Sequence, residues 1–417
     1  MKTKGVRMYG KNDLRVEEFE LPEIKDDEIL VENISDSVCM STYKAAILGK
    51  EHKRVPKDVD INPIIIGHEF SGNIVKVGSK WKEQFKEGEK FAIQPALNYK
   101  GTMWSPGYSY MYCGGDATYN IIPNEVMELG CLLNYKGEAY YEASLAEPMS
   151  CIIGAFHACY HTTMGVYKHN MGIVEGGNMA FLAAAGPMGL GAVDYALHGE
   201  RKPRKLVITD VDEDRLNRAR NIFTDNVSKK SGVELIFVNI KEKDNPSEYL
   251  RLFTGGKGFD DVFVFTPVKQ VVEQASNILG RDGCMNFFAG PTDTKFSGEL
   301  NYYNVHYASV HVMGTTGGNT DDLVESLRLT EEGRINPAVM ITHVGGMSCV
   351  PETVLNLPKI PGGKKLIYTH INMELTAIDD FKRKGEKDLR FAKLAEIVVE
   401  NRGLWCPEAE KYLLENW

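Results

Sequence analysis

Long apolar runs are missing from this chain. No stretch of about 18 or more uncharged apolar residues occurs in its 417 residues, so no transmembrane helix is expected and no membrane partner. The start, Met1-Lys2-Thr3-Lys4-Gly5-Val6-Arg7, is basic but leads into no apolar core of the secretory type. The eight cysteines are dispersed and never form a CxxC pair. In a chain this long that predicts reduced thiols and a cytoplasmic location. An excess of basic residues is also missing. Lys and Arg total 48 against 57 Asp and Glu, for a net charge of -9, which argues against a nucleic-acid partner. There is no internal repeat and no low-complexity segment.

What is present describes a globular protein, 43% hydrophobic and 25% charged. The length exceeds the size at which single cores stop growing and predicts two domains. One stretch organises the rest: Gly67-His68-Glu69-Phe70-Ser71-Gly72, directly after Ile64-Ile65-Ile66. A strand that delivers an imidazole and a carboxylate onto a glycine-flanked bend presents metal ligands well, because glycine permits a tight turn. The alternative is a buried His satisfied by its neighbours. Cys39 upstream, Glu147 downstream and a glycine-rich turn at 186–191 favour the first reading.

In chain order, residues 1–35 read as strands, and Cys39 stands where a loop enters a short helix. Residues 49–57 form a basic loop with Lys50, His52, Lys53, Arg54 and Lys57. Further strands are read over 70–77, 91–93 and 119–123, with an irregular Gly/Tyr/Ser/Pro-rich segment at 95–117. Glu147-Pro148 opens a long helical stretch. From Asn178 the texture changes to continuous apolar runs separated by helical periods. The runs are 179–184, 205–210, 234–238, 261–265 and 285–289. Strands buried on both faces and alternating with helices predict an α/β, doubly wound parallel sheet.

After the first of these runs comes Ala185-Gly186-Pro187-Met188-Gly189-Leu190-Gly191. Fingerprint spacing falls on Ala184, Gly186 and Gly189, so the first glycine is replaced, but strand before and helix after fit a dinucleotide turn. Gly186, Pro187, Met188 and Gly189 are the candidate cofactor-binding residues. Asp210, ending the next strand, can accept hydrogen bonds from an adenine ribose and would repel a 2′-phosphate, favouring NAD over NADP. Arg215 and Lys205 flank the spot. The alternative is a glycine-rich connection in an unrelated α/β sheet.

Together Cys39, Gly67-His68-Glu69, Glu147-Pro148 and the Gly186 turn resemble the zinc-containing medium-chain dehydrogenase/reductase family, over roughly residues 1–370. The resemblance implies a GroES-like β-rich catalytic domain (1–150 and 316–372), a Rossmann domain (151–315) and a C-terminal extension (373–417), with zinc and nicotinamide held between the domains. It implies Cys39, His68 and Glu147 as ligands of one catalytic zinc, with Glu69 beside the metal and able to enter its shell. Ser41 stands where the family has the hydroxyl that relays the proton; its other reading is a cap of the short helix. Lys44 stands where classical alcohol dehydrogenases often carry a proton-passing histidine. Only Cys113 occupies the loop that in many relatives holds a structural zinc, so a second zinc is not expected. The glutamate third ligand resembles the polyol dehydrogenase branch, and the extended C-terminus its sugar-phosphate reductases. This implies hydride transfer between NAD(P)H and a ketose phosphate, and a homo-oligomer, dimer or tetramer. The basic loop 50–57 is a candidate phosphate site, or a solvated lysine-rich loop. The rival functions are a dehydrogenase of unphosphorylated polyols or secondary alcohols, and a nucleotide-binding regulator without catalysis.

Overall fold

The structure is a computed structural model that describes residues 1–163 and 165–417. The chain divides into two compact units. One comprises Met1–Pro148, Asn319–Glu331 and Met340–Trp417; the other comprises Met149–Gly318 and Glu332–Val339.

The first unit is β-rich and GroES-like. Its eight-stranded sheet is centred on the strand Ile29–Val38. That strand alternates buried and half-buried residues until Ser35, after which every position is buried. Along one edge it pairs with Phe70–Val77. Along the other it pairs first with Tyr119–Ile122 and then with Lys364–Tyr368. The last pairing sets Lys365 opposite Val38, which brings Lys364 next to Cys39. A separate three-stranded sheet joins Asp13–Glu20, Lys2–Gly10 and the short Ile64–Ile65. Phe70, Phe91, Ile29, Val31 and Ile122 pack in one core of the larger sheet, while Val6, Met8 and Ile64 of the smaller sheet pack with Val38 and Ile367.

Residues 373–417 do not stand apart as an extension; they belong to this unit. Trp405 is fully buried, and its indole N–H donates to the Tyr368 hydroxyl at 2.8 Å. Glu410, in the helix Pro407–Asn416, accepts from the backbone N–H groups of Tyr140 (2.5 Å) and Tyr141 (2.9 Å) and from the Tyr368 hydroxyl (2.8 Å). One carboxylate thus satisfies donors that open the helix Tyr140–Ser144.

The second unit is a Rossmann domain. Its six strands are all parallel, in the order Glu234–Asn239, Lys205–Asp210, Asn178–Leu182, Phe259–Val264, Leu279–Phe287, His311–Met313. The helical stretch read from Glu147-Pro148 is the helix Ala146–Ala158. A hairpin follows, Tyr160–Thr163 against Val166–Met171, turned by Gly165 with φ +77°. Tertiary bonds override the local pattern here. His161 Nε2 lies 3.0 Å from Asp261 Oδ1, and Thr162 donates through its N–H and its hydroxyl to Asp282. No helix among the described residues is long and apolar enough to cross a membrane.

Candidate functional site

The Gly67 bend is required twice over. Its φ is +87°, and a Cβ there would meet Asp36 Oδ2 at 2.3 Å and the Asp116 nitrogen at 2.7 Å. Glycine therefore lets the chain turn against the central strand and aim His68 and Glu69 at its end. Cys39 is the N-cap of the helix Met40–Leu48, so its side chain projects from the same strand end. The donor atoms of Cys39, His68 and Glu69 lie within 4.8 Å of one another. Glu147, in the first turn of the helix Ala146–Ala158, acts electrostatically on His68.

His68 is held at both ring nitrogens. Nδ1 lies 3.2 Å from the buried Thr42 hydroxyl, while Nε2 faces the hydroxyls of Ser41 and Tyr108, each at 3.3 Å. With Nδ1–H donating to Thr42, the Nε2 lone pair points into the cluster, the arrangement of a metal-ligating histidine. Ser41 also donates to Cys39 Sγ at 3.1 Å, and no side-chain bond caps the helix start.

Burial dominates the ionisation of this group. It pushes the Cys39 thiol up and the His68 imidazole down, and it raises Glu147 to about 7. Glu69 behaves differently. Burial raises its carboxyl, but the adjacent Lys364 ammonium outweighs that and holds it below the usual range. Both Glu69 oxygens meet Lys364, and Ser37 donates to it as well. Lys364 in turn stays charged because Glu69 more than offsets its burial. Thiol, imidazole and carboxylate are the donor types zinc takes. With thiolate and one free carboxylate a divalent ion would be neutralised, and Lys364 neutralises the remaining carboxylate. The residues present fit the metal.

At the nucleotide turn, the strand Asn178–Leu182 ends at Ala183, which adopts φ +55°. Gly186 caps the helix Pro187–His198, with Pro187 and Met188 in its first turn. A Cβ on Gly186 would have open space around it, whereas one on Gly189 would meet the Ala184 carbonyl oxygen at 2.0 Å. Gly186 thus leaves open space beside the turn, and Gly189 permits close packing of helix on strand. Asp210 is buried; it accepts from the N–H groups of Ala185 (3.0 Å), Val211 (2.8 Å) and Asp212 (3.1 Å). Arg215 is half-exposed and pairs with Asp212 at 3.5 Å.

Sequence reasoning missed Lys364, Thr42 and Tyr108. Thr42 lies one residue beyond Ser41 and could have been read as a partner of His68. Lys364 carries no local signal. Cys113 lies in the hydrophobic core. A further set of donors, Cys159, Asp261 and Cys284, clusters in the second unit. There His161 joins Asp261 and fastens the hairpin to the sheet.

Residues 25–130 match the alcohol dehydrogenase GroES-like domain, and residues 187–332 the zinc-binding dehydrogenase family. The chain is 55% identical over 413 residues to mannitol-1-phosphate 5-dehydrogenase of Aliivibrio fischeri, covering 99% of this chain and 97% of that one. It is 45% identical over 412 residues to L-sorbose 1-phosphate reductase of Klebsiella pneumoniae, with the same coverage of 99% and 97%. Among solved structures, 2R,3R-butanediol dehydrogenase of Bacillus subtilis shares the fold, with a TM-score of 0.71 at 20% identity, over 88% of this chain and 100% of that one.

Proposed function

We propose that this chain, which belongs to the zinc-binding dehydrogenase family, is a zinc-dependent reductase that interconverts a ketose phosphate and a hexitol phosphate with a nicotinamide dinucleotide. The observation that carries this reading is the convergence of Cys39, His68 and Glu69 within 4.8 Å, with Glu147 acting on His68. The names of both full-length relatives supply the phosphate: one acts on mannitol 1-phosphate, the other on L-sorbose 1-phosphate.

Cys39, His68 and Glu147 would hold the ion. When bound, zinc supplies a Lewis acid for the sugar carbonyl and the nicotinamide supplies hydride. The rest is done by side chains. Thr42 holds the His68 ring at Nδ1. Lys364 holds Glu69 beside the metal donors, from where Glu69 can enter the coordination shell. Ser41, within 3.3 Å of both Cys39 Sγ and His68 Nε2, gives its proton to the sugar oxygen as the carbonyl is reduced, and recovers one from solvent. Asp210 and the Gly186–Gly189 turn take the dinucleotide, with NAD favoured because a second anion beside Asp210 would be repelled; NADP is the alternative.

The test is a rate comparison. NADH and NADPH oxidation are followed on fructose 6-phosphate, fructose 1-phosphate and plain fructose. A phosphorylated ketose should be reduced with the higher kcat/KM. Equal or faster turnover of the plain sugar would make this a polyol dehydrogenase instead. No turnover of any alcohol or ketone by a protein that binds NADH and holds no zinc would make it a nucleotide-binding regulator.

A further inference from the structure

The loop that leaves the Cys39 helix carries Lys50, His52, Lys53, Arg54 and Lys57, and the structure separates these groups by what they face. Lys57 donates to the Lys50 carbonyl within the loop (2.5 Å), and Lys53 is exposed. Arg54 is half-buried, with its guanidinium carbon 5.3 Å from the centre of the Tyr108 ring. His52 stacks on the same ring at 5.8 Å, with an interplanar angle of 15°. Tyr108 is itself buried and puts its hydroxyl 3.3 Å from His68 Nε2. One aromatic ring therefore carries the cation and touches the metal-donor cluster.

The loop backbone is fixed at this point. Ser109 Oγ donates to the Arg54 carbonyl at 2.8 Å, and the Arg54 N–H donates to His52 Nδ1 at 3.3 Å. With Nδ1 accepting, His52 bears its proton on Nε2 and offers a second donor. Burial, then the neighbouring Arg54, Lys53 and Lys44, push His52 down to about 4. It is neutral at pH 7, and Arg54 supplies the positive charge against the ring.

Among the described residues, Arg54 has no carboxylate partner. Its guanidinium, held against Tyr108 in a loop that also carries Lys50, Lys53 and Lys57, is placed to take an external anion. The planar fork of arginine fits phosphate oxygens in pairs, which a lysine cannot match. We propose that Arg54, held over Tyr108 beside the metal-donor cluster, binds the phosphate of the sugar phosphate and selects phosphorylated over plain ketoses, an inference that rests on the ketose phosphate reading above.

The test compares kcat/KM on fructose 6-phosphate, fructose 1-phosphate and fructose for wild type, Arg54→Met and Arg54→Lys, with inorganic phosphate as a competing probe. Arg54→Met should cut kcat/KM for the preferred phosphorylated ketose by about a hundredfold, mainly through KM, and collapse the ratio to plain fructose. Arg54→Lys should fall between, and competitive inhibition by inorganic phosphate should weaken in the same order. If Arg54→Met fails to fold, the Arg54→Lys ratio decides alone. A wild type that prefers the phosphorylated sugar, with the ratio unchanged in the variants, would overturn the role of Arg54 and leave the ketose phosphate reading standing. A wild type with no such preference would overturn both.

Discussion

The ammonium of Lys364 lies 2.5 Å from a carboxylate oxygen of Glu69, 295 residues earlier in the chain, and both side chains are buried. Strand register makes the meeting, since Lys365 pairs with Val38 and so delivers Lys364 beside Cys39. Removing one partner of a buried pair leaves an uncompensated charge, which costs about 3–5 kcal/mol. Lys364→Met should lose stability of that order in urea unfolding. The double variant Glu69→Gln/Lys364→Met should lose clearly less than the two single losses added. Additive losses would mean that the pair does not act as a unit.

Ser41→Ala tests the proton path. The hydroxyl bonds Cys39 Sγ and His68 Nε2 but no helix amide. The variant should therefore keep its melting temperature and its zinc while kcat falls by roughly a hundredfold, in the range expected for a lost proton-transfer group. A drop in stability with little change in kcat would assign the hydroxyl a structural role.

Asp210→Asn tests the nucleotide preference. The carboxylate is tied to three backbone N–H groups, and asparagine keeps one acceptor oxygen for Val211 and Asp212. The KM for NADH should rise and the NADPH-to-NADH ratio of kcat/KM should increase about tenfold or more, because the repulsion of a 2′-phosphate is removed. An unchanged ratio would show that Asp210 serves the turn and not the ribose.

Glu410 ties the C-terminal helix to the start of the helix Tyr140–Ser144, and burial raises its carboxyl to about 7 despite the donors around it. The unfolded value is near 4.3. A raised folded pKa means that the group's contribution is full below the unfolded value and is lost as pH rises through the folded one, to a limit of about 3 kcal/mol. Between pH 5 and 8, wild type should lose more stability than Glu410→Gln in urea unfolding. Parallel losses would exclude Glu410 as the source.

Legibility in the sequence followed distance along the chain. The Gly67-His68-Glu69 bend lies in one short stretch that glycine and ligand chemistry explain, whereas Cys39 and Ser41 took their roles from the family resemblance. The parallel strands of the second unit declared themselves as unbroken apolar runs. Lys364 did not, because a lysine at the start of an apolar strand gains meaning only when register sets it beside Cys39, within reach of Glu69. Tyr108 sits in a segment that reads as irregular, and only the fold brings its hydroxyl to His68. The hairpin 160–171 was hidden because His161 and Thr162 find their partners, Asp261 and Asp282, about a hundred or more residues later. The C-terminal helices read as a charged tail, since Trp405 and Glu410 reveal their role only against Tyr368 and Tyr140.

The central claim is that Cys39, His68 and Glu147 hold a catalytic metal. Elemental analysis of zinc on wild type and on Glu147→Ala, with reductase activity assayed in the same preparations, tests it most directly. Wild type should contain about one zinc per chain in this site, and Glu147→Ala should lose metal and activity together. An active wild type without zinc would contradict the account, as would a Glu147→Ala protein that retains both.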